Sequence, residues 1–356
     1  MAKRRPDNLR IKRKYLVWLR QAKGFSEASV DKAAASVDCY LTYIRDGDLR
    51  QFHSEKALGF KRHLNGIKHA RTKAPLARST IDGTLRDVKA FFAWLADQPG
   101  YRATVRHADA AYFTPDKKSS RTSRRGVWRP HPSPDQVRHA IDQMPATSAI
   151  DRRDRALVAF LFLTGARETA AMTTRLCHVD LSARCIHFDG RLVDTKNGKR
   201  FTTSFFPVGA DVEVILTDWV AELKQDHLWG PTDPLFPKTL VQRGATGGFA
   251  VRGIAREPWK SPARIVKVFK GAFEAAGLPP FSPHRIRNTL VEMAREFCRT
   301  PEDFKVWSQN IAHDSVITTF FSYGNVAPGR QVELMGRMRK RAPVDPDEDV
   351  DVIDDE

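Results

Sequence analysis

The sequence predicts a mainly α protein with a small antiparallel β-sheet, an α+β fold, divided into a helical N-terminal domain and a larger mixed domain. Three observations lead there. Residues 1 to about 100 carry helical periodicity and no strand signal. A single strand-like stretch, CIHFDGRLVDTKNGKRFTTSFFPV, lies between helical runs, and its Asn197-Gly198 is a strong hairpin signal. With 356 residues of which 41% are hydrophobic, there is chain enough for two cores at roughly 100–200 residues per domain.

Taken in order, IKRKYLVWLRQAK is a short helical candidate, and SEASVDKAAASVDCYLTYI aligns Val30, Ala34, Val37, Leu41 and Ile44 on one face. SEKALGFKRHL is another short candidate. TIDGTLRDVKAFFAWLAD gives the clearest stripe, Ile81, Leu85, Val88, Phe92 and Leu95, with Ser79 or Thr80 placed to cap. Periodicity is lost from about 101 to 132, where KKSSRTSRRG reads as a basic extended linker. A new unit opens at SPDQVRHAIDQM: Ser133 can cap, Pro134 suits the first helical position and Gln136 completes a capping box. ALVAFLFLTGARETAAMT is an apolar helix broken at Thr164-Gly165 and resumed. After the strands come helices at DVEVILTDWVAEL, ARIVKVFKGAFEAAG, SPHRIRNTLVEMAREF, TPEDFKVWSQNIA and SVITTFFSYG. Helices, then a small sheet, then helices argues against an alternating parallel fold.

Composition narrows the function. Cys39, Cys177, Cys185 and Cys298 show no C-x-x-C spacing, so neither a disulfide scaffold nor a zinc ribbon is expected. No apolar run approaches the ~18 residues of a membrane span, and the opening MAKRRPDNLR lacks a signal-peptide core. The chain carries a net charge of +17, yet its last twelve residues hold eight acids and no base, which leaves +25 on residues 1–344. A body that basic suits a polyanion, most often nucleic acid. Phosphate-loop, dinucleotide and H-E-x-x-H motifs are absent, so no cofactor and no metal is expected.

What remains is a set of basic and hydroxyl residues. In SPHRIRNTL, His284 and Arg287 fall one turn apart at a helix N-terminus, where the dipole attracts an anion. Arg167 leaves the apolar helix just after its break, with a fork that can grip two phosphate oxygens. Lys196 precedes the Asn197-Gly198 turn and could give a proton to a departing oxygen; Lys199 and Arg200 flank the same turn, and an ordinary solvated tip accounts for all three equally well. His313 opens, and Tyr323 closes, a segment that Gly324 is set to end. A tyrosine hydroxyl can be a covalent nucleophile where cations and a base favour the phenolate.

In chain order these read T-G-A-R, a hairpin Lys, H-x-x-R, A-H and T-T-x-x-x-Y-G, and with that string the chain resembles the tyrosine recombinase (phage-integrase-like) family over nearly its whole length. The resemblance implies a helical core-binding (SAM-like) DNA-binding domain at 1–105, a basic linker at 106–132, a catalytic domain at 133–342 and an acidic disordered tail at 343–356. It implies that Arg167 and Arg287 hold the non-bridging oxygens of a scissile phosphate, His284 accepts a proton or bonds the phosphate, His313 is the second histidine, Lys196 is the general acid and Tyr323 the nucleophile of a 3′-phosphotyrosyl link. That chemistry needs neither metal nor ATP.

Two positions depart from the family pattern. Its usual acidic residue three places after the first arginine is Ala170 here, with Glu168 roughly 200° away around a helix. The common L-G-H is Ile311-Ala312-His313. The implied partner is double-stranded DNA, engaged by a homo-tetramer through a C-terminal helix with Val332, Met335 and Met338 on one face, with room for accessory DNA-bending proteins and no membrane; the implied setting is a bacterial cytoplasm. The alternatives are a type IB-like topoisomerase and a non-catalytic architectural or regulatory protein of the same fold.

Overall fold

The computed structural model describes residues 6–69, 72–116, 130–190, 193, 200–243 and 247–312, and positions 329, 332, 333, 335 and 336. It separates into two units, Met1–Val127 and Trp128–Glu356. The first contains α1 (Pro6–Gln21), α2 (Glu27–Tyr43), α3 (Ser54–Gly66), α4 (Arg78–Ala96) and the short α5 (His107–Ala110). All five residues of the expected α4 stripe are buried. Its start differs from expectation, for neither Ser79 nor Thr80 caps: the N-cap is Ala77, with no side-chain bond. Arg78 bonds Asn65 at 3.0 Å and pairs with Asp82 at 3.4 Å, which holds the first turn one position earlier.

On α2, Ser26 caps as a side-chain acceptor, and Val30, Val37 and Leu41 of the expected face are buried; Ala34 and Ile44 are half-buried, while Ala33, Ser36 and Tyr40 join the buried side. Tyr40 anchors it. Its ring meets Phe52, Phe60, Phe92 and Phe113 edge-on at centroid distances from 5.0 to 6.4 Å, a geometry that aligns positive ring edges with negative faces. The stretch read as patternless from residue 101 is folded as far as Phe113, with Tyr101, Val105, Ala110 and Phe113 in this core. A four-residue helix and one 3-10 turn are too short to show a period. The KKSSRTSRRG segment lies outside the described residues.

The second unit opens with α6 (Pro134–Asp142), where the capping box forms as expected: the Ser133 hydroxyl accepts from Gln136 N at 3.2 Å and the Gln136 carbonyl accepts from Ser133 N at 3.0 Å. Next come α7 (Ala149–Thr164) and α8 (Glu168–Thr173), separated by Gly165 in the left-handed conformation at φ 59°. From Ala156 to Leu163 every residue of α7 is fully buried, so this helix runs through the middle of the unit. Around it pack α9 (Ala210–Gln225), α10 (Ala263–Ala275), α11 (His284–Phe297) and α12 (Pro301–Asn310).

Three strands, β1 (Val179–Asp180), β2 (Cys185–Phe188) and β3 (Phe201–Ser204), form an antiparallel sheet in chain order. Phe188 pairs with Phe201, their rings 4.9 Å apart. The expected Asn197-Gly198 turn between these strands lies outside the described residues. A second hairpin, β4 (Pro237–Arg243) with β5 (Phe249–Pro258), was not anticipated; Phe249 on it is 84% exposed. SVITTFFSYG falls outside the described residues, and no described helix is long and apolar enough to cross a membrane.

One buried cation braces this unit. Arg153 is wholly buried on α7, yet it bonds the Asp154 carboxylate at 2.7 and 2.9 Å and the Pro237 carbonyl at 2.9 Å, and lies 4.9 Å from the Trp259 ring centre. A buried charge tolerated in this way is paired and hydrogen-bonded. On the helix starts, the Ser133→Ala variant is expected to lose about 1 kcal/mol, seen as a lower denaturation midpoint at unchanged m.

Candidate functional site

The site is built where α7 ends. The Thr164 hydroxyl bonds back to the Phe160 carbonyl at 2.7 Å and accepts from Ala166 N at 3.1 Å, while Gly165 N closes the helix on the Leu161 carbonyl. Only glycine suits this corner. Its φ is positive, and a Cβ there would stand 2.9 Å from Leu290 Cδ1 and 3.1 Å from Ile311 Cγ1. The turn frees the Gly165 carbonyl and launches Arg167, which is the extended N-cap residue of α8.

Arg287, on the first turn of α11, enters from the other side. It is 4% exposed; one guanidinium nitrogen donates to the Gly165 carbonyl and another to the Ile311 carbonyl at 2.6 Å. The end of α12 is itself fixed by β3. Asn310 accepts from Ser204 N at 2.8 Å and donates to the Ser204 carbonyl at 2.9 Å, mimicking one more strand, and Thr203 donates to the Asn310 carbonyl at 3.0 Å. Arg287 thus joins three elements through main-chain acceptors. No described carboxylate lies within ion-pair distance of it, in contrast to Arg153.

Arg167 is half-buried; its carbonyl accepts from Ala171 N at 2.9 Å, and its guanidinium makes no hydrogen bond or ion pair among the described residues. Phe201, Thr203, Ala170 and Arg287 line the same recess as Arg167. Ala170 is buried, so a methyl group stands where the resemblance implies an acid. Burial first, and then the charge of Arg167, push the Arg287 guanidinium down to about 9, with Glu168 partly offsetting them. It still carries its proton at neutral pH. Two cations that share a recess and have no described carboxylate within ion-pair distance favour an anion there, since buried charge is costly unless it is paired.

His284 lies one turn before Arg287, and its pKa falls below the ordinary 6.5. Desolvation by the protein packed around the ring lowers it most, then the Arg287 charge, against a smaller upward pull from Glu168. The lowered pKa keeps the imidazole neutral at pH 7, and the residue still presents exposed surface to a ligand. At this helix start Ser282 gives no side-chain cap, and Pro283, with helical angles at φ −54° and ψ −33°, is the N-cap. The Ser282 carbonyl instead accepts from Arg285 N at 2.8 Å, a tighter turn that needs no hydroxyl.

Of the six sequence-derived site residues, the structure brings Arg167, His284 and Arg287 into one electrostatic group. Lys196, His313 and Tyr323 lie outside the described residues. Sequence reasoning missed Glu168 as the acid that acts on both His284 and Arg287, and missed the Asn310 clamp on β3. For the latter no local signal exists, because its partner is more than a hundred residues away.

No family model matches the chain, and no curated protein matches it in sequence. Solved structures do. A post-cleavage complex of the XerH site-specific recombinase with palindromic difH substrate aligns over 92% of this chain and 83% of its own, at TM-score 0.61 and 16% identity. A lambda integrase dimer bound to a COC′ core site aligns over 88% and 93%, at TM-score 0.58 and 12% identity. The Tn1549 transposon integrase in complex with transposon right end DNA aligns over 92% and 99%, at TM-score 0.55 and 14% identity. The chain therefore has the tyrosine recombinase fold.

Two outcomes follow for this corner. Gly165→Ala is expected to cost about 2–4 kcal/mol, combining left-handed strain with overpacking against Leu290 and Ile311, as measured by chemical denaturation. Because the folded-state pKa of His284 is depressed, the unfolded chain takes up that proton first as pH falls below about 6.5, and folding weakens. The melting temperature of His284→Gln is therefore expected to fall less than that of the parent protein between about pH 8 and pH 5.5.

Proposed function

We propose that the protein is a site-specific DNA recombinase or integrase that cuts and rejoins strands through a 3′-phosphotyrosyl intermediate, without metal or ATP. The observation that carries this reading is the pair Arg287 and Arg167: one buried and held only by main-chain carbonyls, the other without any described partner, in one recess. A phosphodiester supplies the missing negative charge. As the Tyr323 oxygen attacks phosphorus, charge grows on the non-bridging oxygens, and cations already fixed in place stabilise that state without rearranging. His284, neutral and exposed, bonds the phosphate or takes the tyrosine proton. Lys196 gives a proton to the departing 5′ oxygen, and His313 supports the same phosphate.

The phosphotyrosyl bond keeps the energy of the broken linkage. A 5′ hydroxyl from a second strand attacks it, expels Tyr323 and completes the exchange, so no nucleotide is consumed. Double-stranded DNA is the partner, drawn by the basic body. Assembly as a tetramer on DNA is part of the proposal, with the C-terminal helix docking on a neighbouring copy; Val332 and Met335, three residues apart, are both exposed and are free to do so.

The test begins by selecting duplexes bound by the full-length Tyr323→Phe variant and then offering the selected site, nicked near its centre, to the parent protein. A covalent protein–DNA adduct is expected, absent in Tyr323→Phe and slowed about 10²–10³-fold in Arg167→Ala. An undiminished adduct in Tyr323→Phe would overturn the assignment. Adduct formation with supercoil relaxation but no joined two-site product would indicate a topoisomerase, and binding with no adduct an architectural protein.

A further inference from the structure

Away from that recess, the small sheet gathers three unlike metal donors. We propose that Asp180, Cys185 and His187 form a binding site for a borderline-soft divalent cation of the Zn2+ class. The antiparallel register sets Asp180 directly opposite Cys185, and the two-residue period of β2 returns His187 to the same face, away from the core-facing Ile186 and Phe188. One donor atom from each lies within 4.8 Å of the others. Cys185 Sγ stands 3.5 Å from His187 Nε2. A tetrahedral zinc ion with bonds of about 2.3 Å to sulfur and 2.0–2.1 Å to nitrogen has an S···N edge of about 3.5 Å.

The surroundings orient these donors as ligands. His187 Nδ1 is hydrogen-bonded to the Thr202 hydroxyl at 2.9 Å; with Nδ1–H as the donor, the lone pair is left on Nε2, facing the sulfur. One Asp180 oxygen accepts from the Ser182 hydroxyl at 2.6 Å and Ala183 N at 2.8 Å, which leaves the second oxygen for an ion. Burial and the Asp180 charge push the Cys185 thiol up, so without a cation it stays neutral; coordination would displace its proton to solvent. His187 is exposed and gives the ion a path in, and water fills the fourth position. A bound ion would link β1 to β2 directly, and to β3 through Thr202.

The experiment uses the full-length protein, freed of metal with a chelator and titrated with Co2+ and then Zn2+. Expected are one equivalent of bound Co2+ with a thiolate-to-cobalt charge-transfer band, its displacement by Zn2+, and a Zn2+-dependent rise in melting temperature. Cys177→Ser, which alters an exposed thiol outside the trio, should leave all three intact. His187→Gln and Cys185→Ser should lose the band, and Thr202→Val should bind about 10-fold more weakly. Because His187 is exposed, its variant keeps the fold even where Cys185→Ser does not. The proposal is overturned by no saturable one-to-one binding, by a band that survives in His187→Gln, or by a band that disappears in Cys177→Ser.

Discussion

The second unit depends on one guanidinium. Arg287 is buried, charged, and bonded to two main-chain carbonyls that belong to the ends of two different helices. Each bond shapes what lies around it. The carbonyl of Gly165 is available only because the chain turns left-handed at that residue, and the carbonyl of Ile311 is available only because Asn310 ties the end of α12 to β3. Removing the guanidinium would strand both acceptors in the interior, at about 1–3 kcal/mol apiece. The same turn that exposes the Gly165 carbonyl also sends Arg167 into the recess, so structural support and ligand recognition share a single corner.

The two buried arginines of this unit differ in how their charge is met. Arg153 and Arg287 are both buried arginines that bond carbonyls, but Arg153 has Asp154 within hydrogen-bonding distance and an indole ring beneath it. Its charge is fully answered. Among the described residues, the acid that acts on Arg287 is Glu168, outside ion-pair distance, and a second arginine, Arg167, lies beside it. The buried Ala170 adds no charge to that recess, and among the described residues Arg167 has no carboxylate within ion-pair distance. The protein fold is therefore left with positive charge that a passing phosphate can satisfy.

Much of the architecture was legible because its signals are local. The α4 stripe, the Ser133 capping box and the Gly165 break each depend on a few neighbouring side chains, and each formed as read. The β4–β5 hairpin was not legible: only its base, at Pro237 and Ile254, meets the core, and its outer part, with Phe249 and Val251 in solvent, has no buried side to impose a period of two. At the candidate site, residue identity came through the ordered constellation, whereas the burial of Arg287 did not, since an arginine in the first turn of an amphipathic helix reads as a surface cation. Asp180, Cys185 and His187 were equally hidden, because only the strand register brings the first opposite the second.

The main-chain character of the Arg287 partners has a consequence for how this site tolerates change. Every residue carries a carbonyl, so substitution at Ile311 cannot delete the acceptor, and a partner made of backbone cannot be lost to a single-base change as a carboxylate can. The vulnerability is shifted entirely to the donor and to the turn. A lysine at 287 has no planar fork to span two carbonyls at once. Constraint on side-chain identity in this corner thus falls on the glycine at 165, the arginine at 287 and the Asn310 clamp, while the apolar residues packed around them can change in identity as long as their volume is kept.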